Sequence, residues 1–188
     1  MEVKPVDRFL DLCCTEIERR TQLAETDRAA LVDGAAAFRR ALDAAPPVSY
    51  LAPSLVPTVP VAGHLQDLSL PLFGKTTLAA VRKIPWIPSP RLDDGGANVA
   101  LGLVNKVRDL GDLTCGLILV APGAAYPEHA HSPQEIYLPI SGKGSWRYGG
   151  SGEYRSLHDD LLVYNHPRDL HGTVAGDDPL LALYILWP

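Results

Sequence analysis

The sequence predicts a mainly β fold, an antiparallel sandwich or jelly-roll type β-barrel, carried behind a helical and proline-rich N-terminal extension. Three observations lead there. From about residue 84 onward turn signals crowd together: Asp93-Asp94-Gly95-Gly96, Pro122-Gly123, Ser141-Gly142-Lys143-Gly144, Gly149-Gly150-Ser151-Gly152 and Gly176-Asp177-Asp178-Pro179. Between them lie strand-sized apolar or alternating runs, VALGLVNKV, CGLILVAP, EIYLPIS, SWRYGG, LLVYN and LLALYILW, and short strands at this spacing are the mark of a sandwich or barrel. Before residue 84 the apolar period is that of helices.

The helical part divides in two. Val6, Phe9, Leu10, Cys13 and Ile17 recur at three- and four-residue intervals, which puts them on one face of a first helix. That apolar stripe needs a partner surface, so the extension is expected to pack on the barrel and to serve dimerisation. A second helix starts near Asp27, with Thr26 as the expected N-cap, and runs through an alanine-rich stretch to Pro46-Pro47, which stops it. Residues 46–60 hold Pro46, Pro47, Pro53, Pro57 and Pro60, too many for a regular element, and are expected to wrap the surface as extended chain. A short helix over 75–83 completes an extension of residues 1–83, and the barrel takes residues 84–188.

Composition narrows the functional classes. A chain of 188 residues is long enough to bury a core without disulfide or metal staples. A net charge of −5 offers no footprint for nucleic acid or an anionic membrane surface, leaving small molecules, or a second copy of the chain, as partners. Cys13, Cys14 and Cys115 are odd in number and lack zinc-finger spacing, so reduced thiols in the cytoplasm are expected. The start, MEVKPVDRFLDLCCTEIERR, mixes acids and bases where a signal peptide needs a basic patch and an apolar run. The apolar stretches near 115–122 and 180–187 are too short to cross a bilayer and read as buried strands.

Chemistry concentrates in YPEHAHSPQEIY, residues 126–137. His129 and His131 are two apart, so on a strand both side chains leave the same face, and Glu135 with Tyr137 repeats that geometry after the Ser132-Pro133-Gln134 break. Imidazoles and a carboxylate without thiolate suit one divalent transition metal, zinc, iron, manganese, nickel or cobalt, among which nitrogen–oxygen ligands do not choose by affinity alone. His158, His166 and His171 lie further along the chain. Tyr137 shares the face of Glu135, and a phenol beside a cation is shifted toward phenolate, a base at neutral pH. Trp146, Tyr148, Tyr184 and Trp187 lie on expected strands and offer aromatic faces to a cationic ligand, or ordinary core packing.

From Gly123 to Gly142 these residues read G-x5-H-x-H-x3-E-x6-G, which resembles the first motif of the cupin superfamily, small jelly-roll barrels with a metal inside. The stretch from Asp160 to Pro167 ahead of His171 resembles the second motif, with departures: His166-Pro167-Arg168-Asp169 replaces the usual Pro-x-Gly, and Ala175 stands where an asparagine is expected. With Tyr126 upstream and the N-terminal extension, the chain further resembles the small cupin lyases that cleave dimethylsulfoniopropionate. The resemblance implies one more histidine from a later strand, with His171 preferred and His166 its rival. It so gives His131, Glu135 and His171 as metal ligands, Tyr137 as catalytic base and Tyr126 as a catalytic pocket tyrosine that also binds substrate. It leaves His129 between metal and substrate binding, and it implies elimination of dimethyl sulfide to give acrylate. A non-haem iron dioxygenase, whose usual site is two histidines and a carboxylate, stands as the alternative, as does a lyase-like cupin acting on, or only binding, another small carboxylate.

Overall fold

A computed structural model describes residues 4–46, 59–68, 72–156 and 161–188. Most of the proline-rich stretch, residues 47–58, and His158 lie outside the described residues.

Three helices open the chain: α1 (Pro5–Leu23), α2 (Arg28–Ala44) and α3 (Lys75–Val81), with a 3₁₀ segment at Pro60–Gln66. The apolar stripe of α1 is fully buried at Val6, Phe9, Leu10, Cys13 and Ile17. Its partner surface is supplied by this chain, since α1 packs on α2 and α3 and shares one apolar cluster with the sheet below. Arg39 of α2 clasps α1 from outside, with Nη1 2.6 Å from Asp11 Oδ1 and Nε 2.9 Å from Glu18 Oε1. The start of α2 differs from the expectation. Asp27, not Thr26, is the N-cap residue, in left-handed backbone at φ 55° with no side-chain cap bond. An aspartate tolerates that conformation better than β-branched threonine, and its carboxylate is turned instead to His166, 3.1 Å from Nε2.

Ten strands follow: β1 (Trp86–Pro88), β2 (Val99–Gly102), β3 (Thr114–Val120), β4 (Ala125–His129), β5 (Gln134–Ser141), β6 (Gly144–Arg147), β7 (Arg155–Ser156), β8 (Val163–Asn165), β9 (His171–Ala175) and β10 (Leu180–Trp187). They form two antiparallel sheets, β1-β2-β3-β10-β5-β8 and β4-β9-β6-β7, in a jelly-roll arrangement. The run VALGLVNKV is strand only to Gly102 and then turns through a 3₁₀ segment at Val104–Lys106. Gly123 and Gly142, which bracket the histidine segment, both stand at positive φ, 68° and 80°, where a side chain would be strained.

The six-stranded sheet is buried on both faces, which explains its near-continuous apolar runs. Along β10, Leu181, Leu183, Ile185 and Trp187 face the helices, while Leu180, Ala182 and Tyr184 face the second sheet. Along β5, Ile136, Leu138 and Ile140 go to the helices and Tyr137 goes inward. The helix layer seats closely: a Cβ added to Gly34 of α2 would lie 2.6 Å from the Trp187 ring and 2.7 Å from Ile136 Cδ1. Trp187 completes the joint by donating its indole N–H to Asp33 Oδ2 at 3.1 Å.

This joint is open to test. Gly34→Val forces overpacking, which typically costs about 1–3 kcal/mol, and the urea midpoint of the variant is expected to fall accordingly. An unchanged midpoint would show that α2 does not depend on this close approach.

Candidate active site

The site forms where the inner faces of the two sheets meet. Glu135 and Tyr137 come from β5 and Asn165 from β8, while His129 ends β4 and His171 begins β9. His131 follows β4 in the connection to β5. Tyr126 and His129 are three residues apart, a separation that on a regular strand sends side chains to opposite faces. Here Tyr126 pairs with Thr173 and His129 with His171, so β4 carries one extra residue between them, a bulge that turns both rings to the same side. Their ring centroids lie 4.8 Å apart.

The three imidazoles converge. One ring nitrogen from each of His129, His131 and His171 lies within 4.8 Å of the others, a group able to hold a metal ion. Each Nδ1 is engaged by a carbonyl two residues away along the chain: His129 by Pro127 at 2.9 Å, His131 by Pro133 at 3.0 Å and His171 by Asp169 at 2.8 Å. A carbonyl only accepts, so each Nδ1 carries the proton and each neutral ring keeps its Nε2 lone pair free, the tautomer a metal ligand requires. Burial drives the His129 pKa down to about 4, so that ring is neutral at physiological pH.

Glu135 sits in the middle of this group, 2% exposed. Its Oε2 lies 3.3 Å from His131 Nε2 and 3.1 Å from His171 Nε2, yet neither nitrogen has an aligned hydrogen-bond partner among the described residues. A carboxylate facing two imidazole lone pairs is repulsive unless a proton or a cation stands between them. The donor set therefore fits a bound divalent metal on physical grounds. Burial works to raise the Glu135 pKa, but with a proton on the facing nitrogens His131 and His171 donate to the carboxylate, outweigh burial and hold the carboxyl down to about 2. The same carboxylate raises His131.

Around these polar groups stands an aromatic wall. Tyr137 is buried, its hydroxyl within hydrogen-bond reach of Glu135, and desolvation with the Glu135 charge pushes the phenol well above its ordinary value. Trp146 of β6 lies 5.1 Å from the Tyr137 ring and Tyr184 of β10 lies 6.0 Å from it, centroid to centroid. Tyr148 is half-buried against the same inner cluster, with the Arg155 guanidinium over its ring. The cavity lined by Tyr126, Tyr137, Trp146, Asn165, His171 and Thr173 is too narrow for a water.

One expected residue, Trp187, and the rival histidine, His166, stand elsewhere. Trp187, expected to offer an aromatic face to the substrate, belongs to the helix-facing cluster. It is three residues from Tyr184, so the two necessarily leave opposite faces of β10, a signal present in the sequence. His166 is exposed beside Asp27 and is not in the imidazole group, which takes His171 instead. Two further residues escaped the sequence reading. Asn165 donates from Nδ2 to Glu135 Oε2 at 2.9 Å, and Arg91 donates from Nε to the Tyr126 hydroxyl at 3.1 Å. Asn165 shows its inward direction through alternation with Val163, whereas Arg91 sits in a loop with no periodic signal.

Comparison with known proteins follows this geometry. Residues 97–182, which hold the imidazoles, Glu135 and Tyr137, match the model of a family described as dimethylsulfoniopropionate lyase. The crystal structure of the lyase DddQ from Ruegeria pomeroyi DSS-3 is similar over 78% of each chain, at 19% identity and a TM-score of 0.59. A structure described with the dimethylsulfoniopropionate lyases RdDddP and RnDddQII is similar over 86% of this chain and 93% of that one, at 19% identity and a TM-score of 0.60. A cupin 2 conserved barrel domain protein from Rhodopseudomonas palustris is similar over 55% of this chain and 70% of that one, at 16% identity and a TM-score of 0.46. At such identities these likenesses concern the fold. No curated protein sequence matches the chain. The likeness to the dimethylsulfoniopropionate lyase family thus rests on residues 97–182, a segment that carries the whole imidazole and carboxylate group.

Proposed function

We propose that the protein is a metal-dependent lyase that cleaves dimethylsulfoniopropionate to dimethyl sulfide and acrylate by base-catalysed β-elimination. The observation that carries this reading is the Tyr137 phenol at Glu135, beside three imidazoles whose Nε2 atoms converge, within the segment matched to the lyase family. His129, His131, Glu135 and His171 would hold one divalent metal, zinc, iron, manganese, nickel or cobalt. When bound, that metal supplies positive charge that binds the substrate carboxylate and offsets the burial now pushing the Tyr137 phenol up.

The remaining work falls to the chain's own residues. Tyr137, as phenolate, takes the proton from the carbon next to the carboxylate. The electron pair of that C–H bond becomes the double bond of acrylate, and the C–S bond breaks with its pair leaving on dimethyl sulfide. Trp146 and the half-buried Tyr148 give the sulfonium aromatic faces, an attraction of about 0.5–2 kcal/mol each depending on desolvation. Arg91, held at the Tyr126 hydroxyl, puts a fixed cation at one end of the site. It attracts the carboxylate and repels the sulfonium, which orients a substrate bearing both. In keeping with this reading, the partner is a small carboxylate/sulfonium molecule and the site of action the cytoplasm. No helix among the described residues is long and apolar enough to cross a membrane.

Headspace analysis of purified protein loaded in turn with each candidate metal is expected to detect dimethyl sulfide. Oxygen consumption without dimethyl sulfide would replace the lyase with a dioxygenase. His131→Ala, Glu135→Ala and His171→Ala are each expected to lose metal while keeping the far-ultraviolet circular dichroism of the parent, and His166→Ala is expected to keep its metal. The reverse result for the last two would exchange their roles. Tyr137→Phe preserves ring packing and metal content but removes the proton acceptor, so turnover should drop by about 10²–10⁴-fold. Turnover near that of the parent with metal still bound would rule Tyr137 out as the base.

A further inference from the structure

We infer that Asn165 is a positioning residue of the metal centre, a non-titrating donor that holds the Glu135 carboxylate in the orientation from which it can serve as a ligand. The inference rests on the metal-centre reading above and extends it to a residue outside the ligand set.

Register brings the two together. Glu135 and Asn165 are paired residues of the antiparallel strands β5 and β8, so their side chains leave the same face as direct neighbours. Asn165 is fully buried. Its Nδ2 lies 2.9 Å from Glu135 Oε2, and because a carboxylate only accepts, the amide must present its nitrogen on that side. The bond reaches the same oxygen that His131 and His171 approach within 3.3 and 3.1 Å. An ion drawn to the three Nε2 atoms therefore meets a carboxylate whose rotation is already restrained.

The other half of the amide makes the arrangement informative. Asn165 Oδ1 is buried with no hydrogen-bond partner among the described residues, and the cavity the residue lines is too narrow for a water to supply one. An unpaired buried acceptor destabilises the fold. As a purely structural residue Asn165 would be poorly chosen for this position, since an apolar side chain of similar size would fit without that penalty. The donor to Glu135 is what the residue contributes. Its loss should accordingly weaken metal affinity more than it lowers stability.

The experiment titrates metal-free protein with Co²⁺ against a chelator of known affinity, and follows the thermal midpoint of the metal-free form. Asn165→Leu fills the site, while Asn165→Ser is too short to reach Glu135 and too small to clash. Outer-sphere partners of metal ligands typically govern 10–100-fold in affinity, so both variants are expected to bind Co²⁺ at least tenfold more weakly. The visible Co²⁺ spectrum should change with the freed carboxylate. The metal-free midpoint of Asn165→Leu should fall only slightly, because removing the unpaired Oδ1 offsets part of the lost donor to Glu135. Parental affinity and spectrum in either folded variant would overturn the proposal. So would loss of the fold in both, which would make Asn165 a structural residue. Absence of Co²⁺ affinity in the parent protein would instead remove the metal-centre reading itself, so the two failures are distinct.

Discussion

The Glu135 carboxylate is a charge almost wholly removed from water, and the inner space between the sheets is arranged around it. Burying such a group without partners costs several kcal/mol or more. Asn165 and the hydroxyl of Tyr137 offset part of that cost by donating to it, and a proton or cation shared with His131 and His171 offsets the rest. The carboxyl stays ionised with a pKa of about 2 because these partners outweigh desolvation.

Strand alternation lets this polar centre coexist with a tightly packed protein. β5 carries Glu135 and Tyr137 on one face and Ile136, Leu138 and Ile140 on the other, so one strand both furnishes the site and anchors the helix layer. β10 divides its residues in the same way, with Tyr184 inward and Trp187 under α2. The helical extension is thus coupled to the site through one sheet thickness, and the buried stripe of α1 is met inside the same chain. A site framed by paired strands keeps its side chains within narrow limits, which suits chemistry that depends on alignment.

The aromatic wall adds a second character to the space. Tyr126, Tyr137 and Trp146 exclude water from the region beside Glu135, which strengthens every electrostatic interaction there. It also raises the phenols of Tyr126 and Tyr137 through desolvation, so a phenolate requires added positive charge. An imidazole–carboxylate group bounds this aromatic enclosure, and the Arg91 guanidinium is held at the Tyr126 hydroxyl.

Much of this was legible in the order of residues. The spacing of His129, His131, Glu135 and Tyr137 places these side chains on one inner face because strand geometry is local and its period is two. The stripe Val6, Phe9, Leu10, Cys13 and Ile17 announces a buried helix for the same reason, with a longer period. Even the outward turn of Trp187 follows from its odd separation from Tyr184. Tertiary structure decided what local periodicity does not encode. The selection of His171 over His166 depends on which of two residues near one turn begins the strand paired with β4. The bulge that aligns Tyr126 with His129 is a mismatch between two strands. Asn165 reaches Glu135 only because the register of β5 and β8 sets side by side two residues that are 30 apart in the chain. Hydrogen-bond register between distant segments is a property of the assembled sheet, so no single stretch of sequence contains it.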